Sequence, residues 1–253
     1  MVPYRFLEFL AKPDQRRLLW WLYGAVLASS PSTALTHLWS AFCQAFSDSG
    51  SAHPEQSLLP FVCFALFALL YYRFAAGDYR YMWQRYAHLS SQRSPEPGST
   101  PQLSETRCCL DLLFLTGQAA LLQLVANNLL NPEEFFPLYG ATLSVNVCWL
   151  AFNYIKERRV QITHQDGRFQ ITFEYLECHK AGVRWAVNNI LAIAMFFVLS
   201  HLHFVGSLDQ VEVLWASAGI CFLNSVLDIA ATYWHYFPTL LEKAPVNRGH
   251  SLL

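Results

Sequence analysis

Six apolar blocks, each long enough to cross about 30 Å of hydrocarbon as a helix, limit what this chain can fold into. They run Leu18 to Phe46, Leu58 to Ala76, Leu110 to Leu130, Phe136 to Ile155, Trp185 to Val205 and Val213 to His235. Charged connections separate them, which is the pattern of a multi-pass membrane protein. Composition agrees: 14% of the 253 residues are charged and 54% are hydrophobic, where soluble domains carry about 25% charge. The formal net charge of -1 gives no global attraction to nucleic acid, so the bilayer, and no nucleic acid, is the expected partner.

Orientation follows from the seventeen Lys and Arg residues, because cations near span ends stay on the cytoplasmic side. The N-terminal stretch holds Arg5, Lys12, Arg16 and Arg17, and the second connection holds Arg73, Arg80, Arg85, Arg93 and Arg107. The fourth holds Lys156, Arg158, Arg159, Arg168, Lys180 and Arg184, and the tail holds Lys243 and Arg248. The loops at 47–57, 131–135 and 206–212 hold none and carry only acidic residues. The expectation is one all-α membrane domain over 1–253 with six transmembrane helices and both termini in the cytosol. The plasma membrane, or the inner membrane of a bacterial cell, is the expected location. The charged start places the first apolar block beyond a signal-peptide core, so that span is expected to be retained.

Seven cysteines, an odd number and mostly inside apolar blocks, do not make a secreted disulfide framework. Cys43 and Cys63 fall at similar depth, where one bridge is geometrically open.

Two cytosolic segments are expected. Over 77–107, Tyr79, Met82, Trp83, Tyr86 and Leu89 recur at helical spacing. They make either an amphipathic helix at the headgroup level or a continuation of span two. A flexible linker rich in Ser and Pro follows from Ser90 to Thr106. The segment 156–184 differs: Val160 to Gln165 and Arg168 to Tyr175 alternate with period two about Asp166-Gly167, a strong two-residue hairpin signal. This β-hairpin between helices 4 and 5 presents Ile162, Ile171 and Phe173 on one face. A lone ribbon is marginal in water, so that face is a candidate docking surface for the bilayer, the rest of the chain or a cytosolic protein.

Inside the spans, polar residues keep one face. Ser217, Cys221, Asn224, Asp228, Thr232 and His235 follow three- and four-residue steps in span six, as do Thr142, Asn146, Trp149 and Asn153 in span four. Span three offers Asp111 and Gln118, and span five Asn188 and Asn189. The topology puts Asp111, Asn153, Asn188, Asn189, Asp228 and His235 in the cytosolic half, where they can converge on a polar pathway or an ion site. Intramembrane carboxylates are costly and mark function by default, while amides serve as interhelical glue. Asp228 then needs a partner: a cation in transit, His235 or an arginine of another subunit. Pro31, flanked by Ser29, Ser30 and Ser32, marks a kink or a gate.

His37, His201 and His203 are weak candidates for a metal or haem site, since histidines two apart on a helix point away from each other. No metal or cofactor is expected. Phosphate-loop, HExxH and GxSxG motifs are absent, which favours a non-enzyme. Three readings remain: an oligomeric channel or transport unit with a polar cavity open to the cytosol; a non-enzymatic scaffold or assembly subunit docking a partner through the hairpin; and an inner-leaflet lipid-modifying enzyme using Asp228, His235 and Asp111.

Overall fold

The computed structural model describes residues 13–47, 54–91, 101–157, 159–165, 168–174 and 177–236. Six helices run through them: α1 (Pro13–Ser47), α2 (Pro54–Ser91), α3 (Pro101–Asn127), α4 (Pro132–Glu157), α5 (Glu177–Phe204) and α6 (Gln210–Tyr236). Strands β1 (Arg159–Gln165) and β2 (Arg168–Glu174) lie between α4 and α5. They pair antiparallel, with Val160 opposite Phe173, Ile162 opposite Ile171 and His164 opposite Phe169.

Five of the helices are long and apolar enough to cross a membrane: Leu58–Asp78, Cys109–Asn127, Pro132–Phe152, Gly182–Phe204 and Gln210–Thr232. The sixth span expected from the sequence, α1, is not among them. Helix α1 has the length, at 35 residues, but Ser29, Ser30, Ser32, Thr33, Thr36, His37 and Ser40 dilute its centre. Its hydroxyls turn back on the helix: Ser30 Oγ donates to Val26 O, Thr33 Oγ1 to Ser29 O and Thr36 Oγ1 to Ser32 O. That bonding satisfies polar groups within the segment, and α1 runs unbroken through Pro31. A clamp ties it to α3, Ser29 Oγ donating to Gln123 Oε1 at 2.7 Å and Gln123 Nε2 to Thr33 Oγ1 at 2.8 Å.

Helix α2 continues unbroken from its apolar stretch to Ser91, and α3 opens at Pro101, taking in residues that polar composition assigns to the linker. Helix α1 packs along α3 and α2, α4 along α3 and α5, and α6 against α5 and α2. Short, well-formed connections mark the far end. Helix α5 closes on Gly206, whose φ of 71° is the left-handed conformation of a helix C-cap. Helix α6 opens with a reciprocal box, Glu212 N donating to Asp209 Oδ1 at 2.8 Å and Asp209 N to Glu212 Oε2 at 2.9 Å.

At this end the interior is apolar: Cys63, Leu66, Phe67, Leu70, Leu122, Val125, Leu129, Phe135, Phe136 and Tyr139 are buried together. The row Ser217, Cys221 and Ser225 is buried too, so these small residues serve contacts within the chain. Cys63 is buried and Cys43 exposed, and no disulfide joins them. Helix α5 is the least enclosed, with 17% of its apolar stretch buried against 39% to 50% in the other four. Val187, Ile190, Leu191, Met195, Phe197 and Val198 are exposed along it.

Candidate functional site: a polar lattice at one end of the bundle

The other end of the bundle is built on a charge that the sequence places wrongly. Arg73 reads as a linker cation, yet it lies inside α2 and is 3% exposed. Its guanidinium donates from Nε to Asp228 Oδ2 at 2.7 Å, from Nη1 to Asn224 Oδ1 at 2.8 Å and from Nη2 to Asn189 Oδ1 at 2.5 Å. Arginine suits this position because its planar fork of donors reaches several acceptors at once. Asp228 thus has an arginine of its own chain as a partner.

From Asn189 the bonding proceeds helix by helix, every amide accepting on one side and donating on the other. Asn189 Nδ2 donates to Asn146 Oδ1 at 2.9 Å, Asn146 Nδ2 to Gln118 Oε1 at 3.3 Å, and Gln118 Nε2 to Asp78 Oδ2 at 3.4 Å. The series leaves α2 at Arg73, crosses α5, α4 and α3, and returns to α2 at Asp78, five residues further on. A cation at its head and a carboxyl at its foot give all three amides one polarity. Tyr23 OH of α1 also donates to Asp78 Oδ2, at 3.4 Å. With Asp228 and Asn224 on α6, all six helices join one lattice.

A second layer supports it. Asn188 Nδ2 donates to Asn224 O at 2.8 Å, fixing α5 to α6. Trp185 Nε1 donates to Thr232 Oγ1 at 3.0 Å, and Thr232 Oγ1 in turn donates to Asp228 O. Thr232 has non-helical φ of -130° and ψ of 24°, a kink in α6. No glycine or proline announces it; a hydroxyl bonded to the carbonyl four residues back is a known cause of bending. Tyr139 OH and Ser225 Oγ, 3.2 Å apart, tie α4 to α6.

Of the residues singled out from sequence, the structure thus gathers Asp228, Asn224, Thr232, Asn146, Asn188 and Asn189. Asp111 is buried on α3 and accepts from Trp149 Nε1 at 3.4 Å. The side chains of Asn153, His235, Ile162, Ile171 and Phe173 lie outside the described residues. Arg73, Asp78 and Tyr23 were missed, although one signal was present: Phe74-Ala75-Ala76 continues the apolar block beyond Arg73. His37 is half-buried, whereas His201 and His203 are exposed at the opposite end, with His203 Nδ1 3.2 Å from Leu208 O. Among the described residues no three His, Cys, Asp or Glu gather as a metal set.

Arg73, Phe74, Gly77, Asp78, Asn146, Trp149 and Trp185 line a pocket in this lattice. It has room for about one water molecule. Comparison with known proteins finds no family model, no curated protein and no solved structure that matches the chain.

Proposed function

We propose that this multi-pass membrane protein is a transport or permeation unit held in a closed state by the lattice. The Arg73–Asp228 ion pair carries the reading. Buried ion pairs are poor stabilisers, and apolar replacements of similar volume are often neutral or better. Interhelical glue needs only amides and hydroxyls. Charge kept within apolar helices is accounted for by work on ions or protons.

In this reading α1 is the sixth crossing, lined with hydroxyls that bond within the helix. An even number of crossings returns both termini to one side, and the cations other than Arg73 lie at or beyond the ends of the apolar stretches on that side. The lattice then sits in the cytosolic half of a plasma-membrane protein, beside the hairpin. The species moves within one copy or between copies of a homo-oligomer.

The test is proton flux into vesicles carrying an entrapped pH dye, together with conductance across planar bilayers. Asp228→Asn is expected to abolish the flux while the solubilised particle keeps its size. Wild-type flux from a well-expressed Asp228→Asn protein overturns the proposal.

A second reading, a non-enzymatic scaffold or assembly subunit, is favoured by one observation: the pocket in the lattice has room for about one water. There the hairpin positions Ile162, Ile171 and Phe173 dock a cytosolic partner. Ile171→Asp is expected to detach that partner, and unchanged co-purification removes the reading.

A further inference from the structure

We infer that Asp78 is a proton-carrying site, holding its proton while Arg73 is engaged with Asp228. Among the described residues the buried charged side chains are Arg73, Asp78, Asp111 and Asp228. One guanidinium cannot neutralise both carboxyls of the lattice, and its position shows which it serves. Hydrogen bonds to an ionised carboxylate are short, about 2.7 to 2.9 Å from a charged nitrogen donor. Asp228 meets that standard, at 2.7 Å from Arg73 Nε. Asp78 does not, because both donors to its Oδ2, Gln118 Nε2 and Tyr23 OH, stand at 3.4 Å. An ionised carboxylate in an apolar bundle draws its donors close; a neutral acid has no such need. Oδ2 takes the two donors, which leaves Oδ1 to carry the proton.

Among the described residues, the groups around Asp78 bring no counter-charge beside Arg73. Helix α1 presents Tyr23, its own helix Arg73, α3 Gln118, α4 Asn146 and Trp149, α5 Trp185, and α6 is linked to it through Asp228 and Asn224 on Arg73. Arg73 and Asp78 line the same pocket. One guanidinium and one proton therefore serve two carboxyls. With Arg73 on Asp228 the proton is on Asp78, and with Arg73 on Asp78 the proton is on Asp228, so the exchange conserves charge. The site names the transported or coupling species of the proposed transport unit as a proton. The proton on Asp78 itself does not depend on that reading.

Infrared spectroscopy of the full chain in an ester-free detergent tests it, because a neutral carboxylic acid has a carbonyl stretch that no carboxylate or amide shares. The wild-type protein at neutral pH is expected to show this band, shifting in heavy water. Asp78→Asn is expected to reduce it to background and Asp111→Asn to retain it. In Asp228→Asn, where Arg73 has only Asp78 left to pair with, the band is expected to disappear as well. A wild-type spectrum without the band overturns the inference even if no variant folds, as does a band that survives Asp78→Asn or Asp228→Asn. The expected band pattern with no proton flux leaves the site standing and removes the transport reading.

Discussion

The two ends of the bundle solve the same packing problem with different materials. At the end capped by Gly206 and the Asp209–Glu212 box, Leu, Phe and Val fill the interior. At the other, a guanidinium, two carboxyls and amides occupy the equivalent space, surrounded by Tyr23, Trp149 and Trp185. The apolar end needs only shape: any side chain that fills the volume serves, within limits set by cavities and overpacking. The polar end needs each partner, since a buried charge left alone costs at least as much as a cavity. The difference teaches that stability is kept at one end and charge is handled at the other.

That contrast can be broken most sharply at its centre. Arg73→Ala leaves Asp228, Asn224 and Asn189 facing an apolar void and is expected to cost about 3 to 5 kcal/mol, measured by unfolding in mixed micelles. Arg73→Met combined with Asp228→Leu is expected to lose less than Arg73→Ala alone, because no charge is stranded. Equal or greater loss in the double variant erases the distinction between the ends. At the apolar end, Leu129→Ala is expected to cost about 3 kcal/mol through the cavity alone. It should leave the infrared band and any flux at wild-type levels, and a change in either shows that the ends are not separable. Removing the α6 box with Asp209→Ala is expected to cost about 1 kcal/mol, visible as faster hydrogen exchange confined to the first turn of that helix. Smallest is Asn146→Ala, at about 0.6 kcal/mol for an interhelical hydrogen bond. Despite that it should interrupt the amide series and alter the Asp78 band, so an unchanged spectrum shows that the series does not act as one.

The sequence made the apolar end legible as length and hydropathy, and the polar end only in part. Stripes on α4 and α6 stand out because polar residues in an apolar helix are rare enough for three- and four-residue spacing to carry information. The convergence of Asn146, Asn189, Asn224 and Asp228 follows from that spacing and the antiparallel order of the helices. Arg73 was hidden by the rule that reveals sidedness: a cation near the end of an apolar block reads as a flanking charge, and only tertiary packing draws it inward. Asp78 fell with it, five residues further on. Helix α1 is the harder case, since its length suggests a span while its hydroxyls, bonded to its own carbonyls, leave it outside the five most apolar helices. The bend at Thr232 had no local signature, because the tryptophan that bonds its hydroxyl comes from α5.

The one-way run of donors from Arg73 to Asp78 constrains how this molecule can move. Each amide in it bonds neighbours on other helices, Asn189 Oδ1 accepting from Asn224 Nδ2 of α6 as well as from Arg73, so no helix slides or tilts alone without stranding a polar group in oil. On the proposed transport reading, opening is thus concerted: the helices rearrange together, the amides turning over as the guanidinium changes sides.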